Sequence, residues 1–324
     1  MSLDPLTVAG TYLIADIGAT NARFRMIGEF EGPGNLVLRT IDYSTSEELL
    51  LAAKNELQIE NLSGAMLSVA GPVNKDRGSV VLTNSGHYFL AEELEKTLGC
   101  SVWFENDFVA LAHGLDCFVD LLQLGGNLAN ELVSAVLGPG SGLGMATILR
   151  EENCLRVLAS EGGHADFAPG SHLESEIWSV LAMDSKYVSW ESVLSGNGLV
   201  RLYEAMCRVW GSKSSNYEAE DITRLGVSLD DPICHQTLET FYGILGSVAG
   251  NFVLTVGALG GVYFAGSIVP ATSDFALKSP LRRRFEEKEA LEQLLSTVPI
   301  FIIKDSSPGL IGVEQCLEKR LNHQ

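Results

Sequence analysis

Basic residues are scarce in this chain. Among 324 residues, 22 are Lys or Arg and 41 are Asp or Glu, a formal net charge of −19. That balance excludes an extended phosphate-backbone footprint, so no DNA or RNA partner is expected. A small anionic ligand remains compatible, because a few oriented backbone N–H groups bind phosphate on an acidic protein. Paired cysteines are absent too. Cys100, Cys117, Cys154, Cys207, Cys234 and Cys316 include no C-x-x-C pair, and the two nearest stand 17 residues apart. This spacing excludes a sequence-local zinc knuckle and a thioredoxin-type motif. The start, Met1-Ser2-Leu3-Asp4-Pro5, has neither the basic nor the apolar region of an export signal. Scattered cysteines without such a signal predict a reduced, cytoplasmic protein.

Residues 240–273 carry no Asp, Glu, Lys or Arg, a run long enough to cross a bilayer. Its interior argues otherwise. Leu238, Phe241, Leu245, Val248, Phe252 and Val256 step by three or four, the stripe of a helix. Gly257, Gly260 and Gly261 interrupt the run, and Val262-Tyr263-Phe264-Ala265 then reads as a short buried strand. A buried helix followed by a buried strand is expected here, and no membrane partner.

Hydrophobic residues make up 46% and charged residues 19%, enough for a packed core. The length predicts about two domains. Apolar runs predict strands at 11–15, 22–27, 36–41, 65–70 and 102–105, with helices at 47–57, 90–98 and 108–115. Ser46 reads as the N-cap of the first helix. This is an α/β pattern. A second unit begins near residue 133, with strands at 132–137, 145–149, 156–160 and 300–303. Its helices are expected at 173–182, 197–210, 219–227, 232–256 and 312–321. Strand, glycine-rich turn, strand occurs in both units, about 120 residues apart, as a weak internal duplication would give. No low-complexity linker separates the halves, so two closely packed domains with a cleft between them are expected.

The two turns are the main chemical signal. Asp16-Ile17-Gly18-Ala19-Thr20-Asn21 follows the first strand, and Gly138-Pro139-Gly140-Ser141-Gly142-Leu143-Gly144 follows the first strand of the second unit. A turn short of Cβ atoms lets backbone N–H groups reach phosphate oxygens. An ordinary hairpin turn would look the same, but two in one chain favour phosphate. The carboxylate of Asp16 and the hydroxyl of Thr20 suit a phosphoryl group with hydrated Mg²⁺. Neither turn is a P-loop, and neither has the strand-to-helix setting of a dinucleotide fingerprint. The absence of G-x-S-x-G argues against an α/β-hydrolase. Asn106-Asp107 sits at a strand-to-helix junction, where it serves equally well as a helix cap or as a general base. Glu161-Gly162-Gly163-His164 is a mixed donor–acceptor loop suited to a polyhydroxylated ligand. It has no second His or Cys at ligand spacing, so no bound metal is expected there. Arg282-Arg283-Arg284, followed by Glu286-Glu287, reads as a solvated helix face.

Taken together, these segments resemble the bacterial ATP-dependent glucokinases of the hexokinase, Hsp70 and actin superfamily. Asp16-Ile17-Gly18-Ala19-Thr20-Asn21-Ala22-Arg23 resembles the first phosphate motif, and Asn106-Asp107-Phe108 the segment bearing the catalytic Asp. The turn at 138–144 resembles the second phosphate motif. Glu161-Gly162-Gly163-His164 and Glu191-x-Val193-Leu194-Ser195-Gly196 resemble the sugar loops, and Gly260-Gly261-Val262-Tyr263-Phe264-Ala265-Gly266-Ser267-Ile268 the adenosine motif. Their order and spacing match over nearly the whole chain. Ala19 and Ser267 stand where the family has glycine, Ser141 where it has threonine, and the cysteine-rich zinc motif of the related repressor and sugar-kinase group is missing.

The resemblance implies a two-domain actin-like ATPase fold, ribonuclease H-like, with an interdomain cleft. It implies a small α/β domain of residues 1–113 plus 309–324, and a large α+β domain of 114–308 that closes on sugar about hinges near 114 and 308. The implied reaction is γ-phosphate transfer from MgATP to the 6-hydroxyl of glucose, with Asp107 as base. Asn106, Glu161, His164 and Glu191 would bind sugar. Asp16, Gly18, Ala19, Thr20, Asn21, Gly138, Gly140, Ser141, Gly142 and Gly266 would hold the nucleotide, with Asp16 reaching Mg²⁺ through water. Glucose and ATP are the implied partners, in a cytoplasmic homodimer of glycolysis. A kinase for fructose or mannose, and a catalytically silent sugar-binding regulator, are the alternatives. Retention of Asp107 argues against the second.

Overall fold

The computed structural model describes residues 10–74, 76, 78–82, 86–127, 131–151 and 154–322; the export-signal reading of residues 1–5 lies outside them. The chain divides into two compact units, Met1–Val119 with Asp305–Gln324, and Asp120–Lys304.

Unit 1 holds strands β1 (Tyr12–Ile17), β2 (Asn21–Ile27), β3 (Asn35–Arg39), β4 (Gly64–Val69), β5 (Ser79–Val81), β6 (Tyr88–Leu90) and β7 (Val102–Asn106). Five of them form a sheet in the order β3-β2-β1-β4-β7, and β5 and β6 form a separate hairpin. β1, β2 and β3 are antiparallel neighbours, whereas β1, β4 and β7 are parallel. Parallel neighbours need crossovers, supplied by helices α1 (Ser46–Glu56) and α2 (Ala91–Leu98). β7 runs into α3 (Asp107–His113).

Alternation along β1 sorts its side chains. Leu13, Ala15 and Ile17 pack with Leu49 and Leu50 of α1 and Leu94 and Leu98 of α2. Tyr12 and Ile14 pack with Ala110 of α3 and Leu310, Val313 and Leu317 of the last helix. Period two therefore puts Asp16, with its register partners Arg23 and Ser68, on the face toward the last helix.

Unit 2 repeats this path. It holds β8 (Leu121–Gln123), β9 (Val133–Pro139), β10 (Leu143–Glu151), β11 (Cys154–Ser160), β12 (Val262–Phe264) and β13 (Ile300–Ile303). They form a six-stranded sheet in the order β11-β10-β9-β12-β13-β8. Its first five strands reproduce the unit 1 order, two antiparallel pairs and then two parallel ones, with β8 added antiparallel at the edge. Both units thus have ribonuclease H-like topology, which accounts for the repeated strand–turn–strand in the sequence.

Helices α4 (His172–Asp184), α5 (Gly196–Val209), α6 (Ala219–Ser228) and α7 (Pro232–Val256) follow β11. α7 carries the first half of the charge-free segment, from Thr240 to Val256, expected to be a buried helix. Phe241, Ile244, Leu245 and Val253 are fully buried in the unit 2 core, and β12 follows as expected. No helix among the described residues is long and apolar enough to cross a membrane. Four short helices come next, α8 (Ile268–Ala271), α9 (Ser273–Ala276), α10 (Leu281–Glu286) and α11 (Glu292–Thr297), and α12 (Pro308–Asn322) closes the chain in unit 1. Glycine lets α10 lie directly on α7: a Cβ at Gly246 would stand 2.1 Å from the Leu281 carbonyl oxygen.

Several local expectations are corrected. The N-cap of α1 is Thr45, whose hydroxyl accepts from the Glu48 N–H at 3.2 Å; Ser46 instead donates to the Tyr88 carbonyl at 2.8 Å. α12 starts at Pro308, four residues earlier than residue 312, because proline suits the first turn of a helix. The third strand ends at Arg39, where Thr40–Asp42 turns into a 3₁₀ segment. Only Arg283 of the arginine run is solvated, with its side chain 64% exposed. Arg284 is 11% exposed and paired with Glu174, itself 5% exposed, across the contact of α10 with the rest of the unit.

Candidate active site

In unit 1 the β1–β2 connection is a tight turn, closed by the Gly18 N–H donating to the Asn21 carbonyl at 3.0 Å. Thr40, fully buried, braces it from the 3₁₀ segment. Its hydroxyl donates to the Gly18 carbonyl at 2.8 Å, and its N–H to the Thr20 carbonyl at 2.9 Å. Thr20 itself is exposed. Asp16 precedes the turn and is half-buried. Burial pushes its carboxyl upward from the ordinary value, partly offset by the charge of Arg23 and a hydrogen bond from Ser68.

The same sheet edge carries Asn106 and Asp107. Ile17 is in register with Val69, and Val69 with Asn106, so the turn and Asp107 lie at the carboxyl ends of parallel strands. Ligands of open α/β sheets bind at such ends. Two strand spacings separate them, about 9–10 Å. Asn106 is the N-cap of α3: its Oδ1 accepts from the Phe108 and Val109 N–H groups at 3.0 and 3.1 Å, and its Nδ2 donates to the Gly71 carbonyl at 3.1 Å. Both amide atoms are thus anchored, which fixes the residue before Asp107. Asp107 is the first residue of α3 and half-buried.

In unit 2 the β9–β10 turn is closed by the Gly140 N–H donating to the Gly142 carbonyl at 2.8 Å. Gly138 and Gly144 pair with each other inside the two strands, so Gly140, Ser141 and Gly142 alone form the tip. Three segments converge on it. The Gly196 N–H, at the start of α5, donates to the Gly140 carbonyl at 2.8 Å. The Glu191 carboxylate accepts from the Leu143 N–H at 2.8 Å. Gly266, with φ +81°, passes so close that a Cβ would stand 2.4 Å from the Pro139 carbonyl oxygen. Ser195 caps α5, accepting from the Gly198 N–H at 2.9 Å.

The loop at 161–164 forms a 3₁₀ turn, Gly162–His164. It is tied to Glu191, whose N–H donates to the Gly163 carbonyl at 2.8 Å. Glu161 and His164 are exposed, and the Tyr187 hydroxyl donates to the His164 carbonyl. Among the described residues no group of three or more His, Cys, Asp or Glu could hold a metal ion. Unit 1 therefore gathers Asp16, the 18–21 turn, Asn106 and Asp107, and unit 2 gathers the 138–142 turn, the 161–164 loop, Glu191 and Gly266. Sequence reasoning missed Thr40, Ser68 and the Leu143 N–H. A parallel-strand neighbour of Asp16 was the one available signal for Ser68, and none pointed to the other two.

Duplicated ribonuclease H-like units, each with a glycine-bearing turn between its first two strands, place the chain in the actin-like ATPase fold class. The sequence model of the Glucokinase family matches residues 13–320. The chain belongs to that family. It is 36% identical over 317 residues to a glucokinase of Chromobacterium violaceum, covering 95% of this chain and 90% of that one. It is 38% identical over 331 residues to a glucokinase of Aromatoleum aromaticum, covering 98% of each. The solved structure of a glucokinase from an Antarctic psychrotroph superposes with a TM-score of 0.78 at 32% identity, over 95% of this chain and 99% of that one.

Proposed function

We propose that this chain transfers the γ-phosphate of MgATP to the 6-hydroxyl of glucose, giving glucose 6-phosphate and ADP. The observation that carries this reading is full-length membership of the Glucokinase family with Asp107 kept at the strand-to-helix junction after β7. Asp107 accepts the proton of the sugar 6-hydroxyl as that oxygen attacks the γ-phosphorus in line, and ADP leaves with the bridging electron pair. The anchored amide of Asn106 holds Asp107 at the helix start. Asn106, Glu161, His164 and Glu191 bind sugar hydroxyls. The turns at 18–21 and 138–142, with Gly266, receive the nucleotide through backbone N–H groups.

Mg²⁺ fits this donor set. A single carboxylate, Asp16, stands at the first turn with no protein cage around it among the described residues, the pattern of a cation held by water and substrate phosphates. Bound there, the ion would neutralise charge on the phosphates. The family resemblance also supports a cytoplasmic, glycolytic homodimer; size-exclusion chromatography with light scattering checks the dimer.

The test is coupled ADP release with glucose, fructose, mannose, N-acetylglucosamine or no sugar. Glucose should give the highest kcat/KM. A higher value for another hexose would change the assigned substrate, and ADP release independent of sugar would overturn the kinase reading.

A further inference from the structure

We propose that Gly309 and Ser68 are positioning residues that aim the Asp16 carboxylate; the proposal rests on the reading of Asp16 as the carboxylate that serves Mg²⁺ and phosphate. Gly309 lies in the first turn of α12 and is buried. A Cβ there would stand 2.3 Å from Asp16 Oδ2, 2.5 Å from Cγ and 2.9 Å from Oδ1. The missing side chain therefore leaves the space that the carboxylate occupies. From the other side, the Ser68 hydroxyl lies 3.2 Å from Asp16 Oδ1 and 3.3 Å from the Ala15 carbonyl oxygen, its one proton shared between them. Ser68 is fully buried and directly beside Asp16 in the parallel β1–β4 register.

Neither backbone can yield easily. β1 is hydrogen-bonded on both edges, to β2 and β4. α12 is pinned next to Gly309 by Leu310, Val313 and Leu317, all buried against the sheet. A methyl group at 309 would instead be relieved by rotating the short Asp16 side chain. Stability would change little, while the carboxylate would leave its Ser68 partner and its direction. This is how outer contacts usually tune a metal-associated carboxylate: they fix its orientation and contribute no ligand of their own. The effect is confined to unit 1 and asks nothing of the sugar loops.

The experiment measures ADP binding by calorimetry against MgCl₂ concentration, with thermal midpoints taken in parallel. Gly309→Ala and Ser68→Ala should each raise the Mg²⁺ concentration that half-saturates tight ADP binding by about 10-fold, the scale of an outer-contact loss. ADP affinity without Mg²⁺, glucose affinity and the thermal midpoint should stay near wild type. Asp16→Ala should remove the Mg²⁺ effect, and adding Gly309→Ala to it should change nothing more, because the methyl then has no carboxylate to displace. Wild-type Mg²⁺ dependence in Gly309→Ala and Ser68→Ala, with Asp16→Ala impaired, overturns the positioning role alone. So does a Gly309→Ala effect that persists in the Asp16→Ala background. Unchanged Mg²⁺ dependence in Asp16→Ala overturns the metal role of Asp16 and the positioning role with it. Should Gly309→Ala fail to fold, Ser68→Ala decides between the same outcomes.

Discussion

The pair Arg284–Glu174 gives the sharpest stability prediction. Arg284 Nη1 donates to Glu174 Oε1 at 2.6 Å and Nη2 to Oε2 at 3.3 Å. Its Nε and Nη2 also donate to the Ser247 hydroxyl on α7, at 3.1 and 2.7 Å. Glu174 Oε2 accepts in turn from the Gly170 N–H at 2.7 Å, tying the loop before α4 to α10 and α7. Arg284→Met keeps the apolar stem and deletes the guanidinium. The Glu174 carboxylate, 5% exposed, then loses its ion-pair partner. Removing one member of a buried pair costs about 3–5 kcal/mol, mostly the uncompensated charge left behind. For a unit spanning Asp120–Lys304, each kcal/mol lowers the midpoint by about 2–4 °C, so a fall of about 6–20 °C is expected in scanning calorimetry. The double variant Arg284→Met/Glu174→Gln removes both charges and keeps an acceptor for Gly170, and it should recover at least half of the loss. A single-variant shift below about 2 °C, or a double variant no more stable than the single, would refute the reasoning.

Two further outcomes follow from the site in unit 1. Asp107→Asn keeps the size of the side chain but cannot take a proton, so kcat should fall by about 10²–10⁴-fold with glucose still bound in calorimetry; an unchanged kcat would remove Asp107 from the role of base. Asp16 has a carboxyl raised by burial above its ordinary value of 3.8. The unfolded chain therefore releases this proton first, and the stability Asp16 contributes is lost as pH climbs from the ordinary carboxylate range through the raised value. Asp16→Asn should consequently gain on wild type in thermal midpoint as pH rises over that window without Mg²⁺, and a gap that does not widen would contradict the assigned shift.

Legibility in the sequence tracked the length of the signal. α7 was readable because its apolar stripe, Leu238 to Val256, runs through most of a 25-residue helix. The central strands were readable because each is an apolar run that stops at a glycine or polar turn. The β5–β6 hairpin was not, since three-residue strands carry too little alternation to register unless, like β12 between Gly261 and Gly266, they form an apolar run bracketed by glycines. α8 to α11 have four to six residues each, barely more than one turn, and their periodicity cannot be distinguished from chance. At α1 two hydroxyl residues stood side by side. Thr45 rather than Ser46 became the cap because Ser46 is engaged by Tyr88, 42 residues away.

The same logic separates the residues of the site. Asp16, Asn106 and Asp107 were visible because polar groups break an apolar strand at its carboxyl end, where a fold of this type meets its ligands. Their supports were not, because each acts through a group the sequence does not advertise. Leu143 holds Glu191 with a backbone N–H, and Thr40 braces the first turn from 22 residues beyond it. Arg284 looked neutralised by the glutamates that follow it, yet its strongest partner is 110 residues earlier in the chain. Pro308-Gly309 reads locally as a helix breaker. In the fold it opens α12, and the absent side chain of Gly309 makes the space for Asp16. Groups that meet substrate are marked by their own chemistry, whereas groups that orient them are marked only by what they touch, and that information appears once the chain has folded.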